Sequence, residues 1–161
     1  MIDLARTWQM LEQRLKTTVN PRHRRVFGIV LEHLKAEAEP DLDRLMATVS
    51  KDAAYHFCGD TGPKGHDAVR EYYAAFAASK ANHLESRMDR LIVDDHALVT
   101  EGDLHTLPPG AAARQMSFPI DDPDADYRYV SRQLIVWPVD ADGLIAAEDF
   151  YPRPGRWSSG N

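Results

Sequence analysis

Three observations predict an α+β fold: helical periodicities come first, strand patterns follow, and one helix interrupts them after the first strand. Leu4, Trp8, Leu11 and Leu15 recur at helical spacing between Gln9, Glu12, Gln13 and Arg14, which predicts an amphipathic helix over residues 3–17. Asn20-Pro21 has the form of an N-cap and first-turn proline. The second helix then runs to about Glu39, with Val26, Phe27, Val30, Leu34 and Ala38 on its buried side. Pro40 ends it, and Asp41 caps a short third helix carrying Leu42, Leu45, Met46 and Val49.

The pattern changes at Ala53. Tyr55-His56-Phe57-Cys58 reads as a strand, Gly59 to Gly65 as a turn-rich loop, and Asp67 as the start of a helix packing through Val69, Tyr72, Tyr73 and Phe76. Leu84 to Val93 and Ala97 to Leu104 are joined by Asp94-Asp95-His96, a hairpin. Tyr127 to Val139 and Leu144 to Tyr151 form a second pair around Asp140-Ala141-Asp142-Gly143. Thr106 to Asp126 reads as a long loop with one short strand candidate at Gln115-Met116-Ser117-Phe118 and an acidic, solvated turn at 121–126. Residues 1–151 are expected to be one domain and 152–161 a flexible tail.

A chain of 161 residues suits one core, and a net charge of −6 argues against tracking a nucleic-acid backbone. The one basic cluster, Arg22-His23-Arg24-Arg25, reads as a solvated helix start. Cys58 is the single cysteine, which excludes an internal disulfide and a thiolate metal cage. No apolar run is long enough to span a bilayer, and Met1-Ile2-Asp3-Leu4 lacks the features of a signal peptide. The expectation is a cytoplasmic protein with no metal, no cofactor, no nucleic acid and no membrane partner.

The run Pro40 to Met46, the segment Lys51-Asp52-Ala53, the run Gly65 to Tyr73, and Asp142-Gly143-Leu144-Ile145 resemble the SnoaL-like branch of the nuclear transport factor 2-like superfamily. The resemblance covers about Arg25 to Tyr151. It implies a cone-shaped α+β barrel, with a curved, mostly antiparallel sheet wrapped around N-terminal helices, a pocket in the cone, and a homodimer formed through the sheet. Members include ketosteroid isomerases, limonene-1,2-epoxide hydrolases, scytalone dehydratases, polyketide cyclases, and binding proteins without chemistry. The fold alone does not choose among them.

Several candidate site residues follow from that resemblance. His33 stands where ketosteroid isomerases place a tyrosine that stabilises an oxyanion; a histidine there is a candidate donor or base, or else a half-buried helix residue bonded to a neighbour. Tyr55 matches a pocket tyrosine that helps hold water in the epoxide hydrolases, while their asparagine two residues on is here Phe57. Tyr55 and Phe57 share one strand face, so if they point inward, His56 and Cys58 point outward. The catalytic aspartate of the isomerases falls on Phe57 or on His56, depending on the reference point, and neither is a carboxylate.

Glu101, Asp103 and His105 also share a face. The epoxide hydrolases carry an Arg-x-Asp pair in this strand, which Glu101-Gly102-Asp103 replaces only after a one-residue shift. Without the shift, Gly102 and Leu104 face the pocket and the charges face solvent. Glu148 and Phe150 stand at inward positions of the last strand, the second replacing a catalytic aspartate of the hydrolases. Ala146 on that face would leave room for a ligand. Arg132 is a candidate partner for Glu148 or for a ligand's negative charge, or an exposed arginine.

The reading gives His33, Tyr55, Asp103 and Glu148 as catalytic candidates, with Phe57, Glu101, Arg132, Phe150 and Tyr151 in contact with substrate. Two functions are open. One is cofactor-independent acid–base chemistry (isomerisation, dehydration, cyclisation or epoxide hydrolysis) on a lipophilic terpenoid, steroid-like or polyketide substrate. The other is a binding or assembly domain using the same cone without turnover.

Overall fold

The computed structural model describes residues 2–79, 84–108, 110, 114, 120–122, 124–125 and 127–159. The Gln115–Phe118 strand candidate lies outside them. Among these residues the elements follow in the order α1 (Ala5–Thr17), α2 (Pro21–Ala38), α3 (Leu42–Met46), β1 (Val49–Phe57), β2 (Asp60–Lys64), α4 (His66–Ala78), β3 (Leu84–Val93), β4 (Ala97–Thr106), β5 (Tyr127–Pro138), β6 (Ile145–Pro152) and β7 (Arg156–Ser159).

Local chemistry starts these helices. Asn20 accepts from the backbone N–H groups of Arg22 and His23 at 2.9 and 3.3 Å, and Pro21 fills the first turn of α2. Asp41 caps α3 by accepting from the Arg44 N–H at 3.1 Å. Gly65 opens α4 at φ 82°, a left-handed conformation suited to glycine, so the helix begins at His66 rather than at Asp67.

The strands form one curved, unclosed sheet in the order β2-β1-β6-β5-β4-β3, with β7 also paired to β5. All pairings are antiparallel except β1 with β6, which sets Tyr55 beside Glu148 and Phe57 beside Phe150. The cone expected from the resemblance is therefore present. Two expectations are corrected. The loop after Cys58 contains β2, which turns back on β1 with Phe57 opposite Asp60. The segment expected to be a flexible tail contains β7, which occupies the edge of β5 at Tyr127 to Val130, beyond where β6 leaves it. The Tyr129 and Trp157 rings stack across that pairing at 4.5 Å.

Apolar burial divides into two clusters. Leu11 of α1 and Val26, Phe27 and Val30 of α2 pack against Leu91, Leu98, Ile135, Trp137 and Ile145 of the sheet. Ala36, Leu45 and Met46 pack with Ala53, Tyr55, Val69 and Tyr73. Between them the helices stand off from the sheet, and that gap is the hollow described below. Trp137 is fully buried, and its indole N–H is satisfied by Thr100 Oγ1 at 3.0 Å.

At Gly102 the backbone of β3 approaches β4 closely, and a β-carbon there would lie 2.3 Å from the Arg87 carbonyl oxygen. That oxygen is backbone beside an irregularity in register between Met88 and Arg90, so it cannot swing away as a side chain would. Gly102→Ala is expected to lower stability by about 1–3 kcal/mol, the usual range for overpacking. Urea unfolding of the two proteins measures it, and an unchanged midpoint would contradict the close approach.

Candidate functional site

Strand alternation divides the sheet's side chains between two faces. On the concave side Leu84, Ser86 and Met88 of β3, Thr100, Leu104 and Thr106 of β4, and Gln133, Ile135 and Trp137 of β5 line a cavity of about 470 Å³. Leu34 and Glu37 of α2, Tyr72, Tyr73 and Phe76 of α4, and Thr7 of α1 form the helical wall. Phe57, Glu148 and Phe150 complete it, and exposed Cys58 stands on the rim. The wall is mostly hydrocarbon and aromatic, and no lysine, arginine or histidine lines it among the described residues.

Two carboxyl groups therefore face an apolar hollow with no cation beside them. Burial raises Glu148 to about 7, against the hydrogen bond from Tyr73, with the charge of Asp149 adding to the rise. Burial raises Glu37 to about 8, and the Glu148 charge pushes it further. Each is part-exposed, but its surface opens into the cavity. The pair thus splits near neutrality: Glu148 is the first to ionise, and Glu37 holds its proton longer.

An aromatic hydrogen-bond system backs Glu148. Tyr73 Oη lies 3.1 Å from Glu148 Oε2, 3.3 Å from Tyr55 Oη and 2.8 Å from His33 Nε2. His33 Nδ1 in turn lies 2.7 Å from Thr48 Oγ1, which is 2.6 Å from the Leu45 carbonyl oxygen. His33 is fully buried, and burial holds it down to about 3, so the imidazole is neutral. Burial, with the Glu148 charge second, raises both Tyr55 and Tyr73 well above the usual phenol range.

Of the residues singled out in the sequence, Phe57, Glu148 and Phe150 line the cavity together. His33 and Tyr55 do not line the cavity: Tyr73 stands in front of them and takes a hydrogen bond from or to each, so both act behind the wall. Asp103 and Glu101 face the convex side. Arg132 holds them there, 2.9 Å from Glu101 Oε1, 3.5 Å from Asp103 Oδ1 and 2.8 Å from Asp89 Oδ1. Asp103 and Arg132 are direct cross-strand partners, so the charges satisfy each other without the one-residue shift. Arg132 therefore pairs with these carboxylates and not with Glu148. His105 is on the same outer face, covered by Arg128 at 2.8 Å. Tyr151 points to solvent, 47% exposed, and Ala146 is not among the residues lining the cavity. Cys58 was expected to face outward with His56; its left-handed turn, at φ 55°, brings it to the rim instead.

Glu37 and the pocket role of Tyr73 escape a reading based on strand alternation. A signal for Glu37 is present: it follows His33 by four residues on the face of α2 that carries Val26, Val30 and Leu34. A glutamate on an apolar stripe marks either a buried pair or a pocket.

Residues 30–148 match the SnoaL-like domain family, and the chain belongs to that family. No curated protein matches the sequence. Among solved structures, the fold is similar to that of a protein of the SnoaL-like polyketide cyclase type from Shewanella putrefaciens CN-32, at TM-score 0.66 and 10% identity, covering 89% of this chain and 86% of that one. It is also similar to the epoxide hydrolase/cyclase-like enzyme SalBIII, which has a role in pyran ring formation in the polyether salinomycin, at TM-score 0.58 and 16% identity, covering 88% and 92%. A third is an LEH-like epoxide hydrolase from M. tuberculosis, at TM-score 0.60 and 18% identity, covering 83% and 86%. At these identities the likeness establishes the fold. No helix among the described residues is long and apolar enough to cross a membrane.

The raised carboxyls have a consequence for stability. A buried acid favours its protonated form, so the folded state binds more protons than the unfolded chain above the ordinary glutamate range. The stabilisation is complete below about 4.5 and is lost as pH rises through about 7 for Glu148 and about 8 for Glu37. His33 works oppositely, but only below its ordinary value of 6.5. Between these limits each carboxyl still protonated in the fold is expected to cost up to about 1.4 kcal/mol per pH unit. Urea unfolding between pH 6.5 and 8 should show stability falling in the native protein. The Glu37→Gln, Glu148→Gln double variant should be nearly flat there; equal slopes would place the two carboxyls outside the apolar site.

Proposed function

We propose that this protein is a cofactor-independent acid–base catalyst that closes an ether ring in a lipophilic, polyketide- or terpenoid-type substrate by opening an epoxide with the substrate's own hydroxyl group. The observation that carries this reading is the pair Glu148 and Glu37, two carboxyls of staggered acidity facing one apolar cavity. Ionised Glu148 takes the proton of the attacking hydroxyl as its oxygen bonds to the epoxide carbon. Neutral Glu37 gives its proton to the epoxide oxygen as the C–O bond breaks. The ring ether and the new hydroxyl together balance the substrate, with no oxidant, reductant or second reactant. The proton left on Glu148 returns to Glu37 before the next turnover.

Apolar surroundings support an internal nucleophile over water. Where the epoxide hydrolases of this fold carry a water-holding asparagine and a catalytic aspartate, this chain has Phe57 and Phe150, whose rings meet at 6.5 Å. The same two phenylalanines also favour a second reading, in which the cavity binds a lipophilic molecule without turning it over.

A panel of lipophilic hydroxy-epoxides incubated in ¹⁸O-labelled water separates these readings. Ring closure yields a cyclic ether without the label, whereas hydrolysis yields a labelled diol. Glu148→Gln and Glu37→Gln are each expected to lower kcat by about 10²–10⁴-fold, the range for general acid–base groups. Cys58, the single and exposed thiol on the rim, supplies an independent measure of occupancy, since a bound molecule should slow its alkylation. Slowed alkylation without any product would establish the binding reading. A labelled diol would replace ring closure by hydrolysis.

A further inference from the structure

The hydrogen-bonded chain behind Glu148 carries a restriction of its own, independent of turnover. It has four links: Glu148 to Tyr73, Tyr73 to His33, His33 to Thr48, and Thr48 to the Leu45 carbonyl, at 3.1, 2.8, 2.7 and 2.6 Å. Each link needs one proton. Tyr73 brings one, neutral His33 one and Thr48 one. The Tyr73–Tyr55 contact joins two hydroxyls at 3.3 Å, either of which can donate; where Tyr73 gives its single proton to one of the four links, Tyr55 serves this contact with its own, and the count is unchanged.

With Glu148 ionised, three protons serve four links. The carboxylate must be served, because it is the charged acceptor. Tyr73 then donates to Glu148, Nε2–H of His33 donates to Tyr73, and the Thr48 hydroxyl donates to Nδ1. The Leu45 carbonyl loses the hydroxyl but keeps the Thr48 backbone N–H at 2.9 Å. With Glu148 protonated, four protons serve four links and every donor reverses. Glu148 donates to Tyr73, Tyr73 to Nε2, Nδ1–H to Thr48, and Thr48 to the Leu45 carbonyl. The hydroxyls change direction by rotation. The imidazole has one proton in both states, but that proton must sit on a different nitrogen.

We infer that His33 is a positioning residue whose tautomer follows the charge of Glu148: Nε2–H when the carboxyl is ionised, Nδ1–H when it is protonated. One proton leaves Glu148 for substrate or solvent, and the chain behind it goes from four protons to three. The wire thus biases the carboxyl, since only the protonated state fills every link. Groups facing Glu148 are Tyr72 and Tyr73 from α4, Glu37 from α2 and Tyr55 from β1, with Asp149 adjacent on β6. None of them brings a proton to the four links beyond those counted. The Trp137 ring, edge-on to His33 at 5.7 Å, presents no donor to it, because its N–H is bound to Thr100.

The inference concerns the carboxyl assigned above as the base, yet it is tested without substrate, so it stands or falls separately from ring closure. ¹⁵N NMR distinguishes a bare ring nitrogen from a protonated one, and ¹³C NMR follows the Glu148 carboxyl. In the native protein the His33 proton is expected to move from Nδ1 to Nε2 as pH rises, with the same midpoint as Glu148. In Glu148→Gln it should stay in place across that range. Thr48→Val supplies a second reading at a residue that does not touch Glu148. It leaves two protons for two links when Glu148 is ionised, and three for two when it is protonated, stranding Nδ1–H. The Glu148 midpoint should therefore fall by about half to one pH unit, the equivalent of one net hydrogen bond. A His33 tautomer that stays fixed while Glu148 titrates in the folded native protein would overturn the inference, as would an unchanged Glu148 midpoint in a folded Thr48→Val variant.

Discussion

The pairing of β1 with β6 is the constraint on which the site depends. Among the described residues it is the one parallel contact in the sheet, and it joins β1 to β6. Parallel neighbours need a long connection, and here that connection contains β2, α4, β3, β4 and β5. The sheet must therefore curve around whatever packs on β1. The Tyr55–Glu148 and Phe57–Phe150 pairs fix the register, and Cys58 N–H extends the contact by donating to the Phe150 carbonyl at 2.9 Å. A slip of one residue would turn Glu148 to the convex side and bring Asp149 in. Asp149 is committed on that convex side to His56, at 2.6 Å, which opposes such a slip.

Within the cone, the chemistry follows from what the cavity lacks. Buried carboxylates elsewhere in proteins are matched by a cation or several N–H donors. Glu148 receives one phenolic hydroxyl, and both cavity glutamates are weakened as acids by burial without a compensating cation. A single arginine in the wall would ionise both and abolish the division between acid and base. Arg132, in the strand neighbouring β6, is kept from this role by the alternation of the strand and by three carboxylates on the outer face.

Much of this fold was legible in the chain because its signals are local. Asn20-Pro21, Asp41 and the Asp94 to His96 hairpin announce themselves by turn and cap chemistry, and the helical stripes by their period. β2 and β7 were not legible, since the sequence around them is rich in Gly, Pro and Ser, and Asp60–Lys64 and Arg156–Ser159 owe their extended form to pairing with β1 and β5. At the site, the inward placement of Phe57, Glu148 and Phe150 was implied by the resemblance to the epoxide hydrolases, while alternation said only which neighbours share a face. Glu101 and Asp103 were undetermined because either face satisfies a period of two; the arginines opposite them decide it, and those partners are known only once the register is. The resemblance pointed His33 toward the pocket, but depth is not written in periodicity. Tyr73, from a helix forty residues later, occupies the space in front of it.

That ordering of depth changes what His33 means. A histidine in contact with substrate would exchange protons directly, and its neutral form would be a base. Behind Tyr73, with both ring nitrogens bonded and the ring fully buried, it has no route to substrate and no room to charge. What remains to it is direction: it can offer Tyr73 either a proton or a lone pair, and through Tyr73 it can oppose or favour charge on Glu148. The apolar wall sets the acidity of the carboxyl by withholding solvent, and the polar chain behind the wall sets it by counting protons. Both act on one oxygen, Glu148 Oε2, and neither requires a charged residue in the cavity to do so.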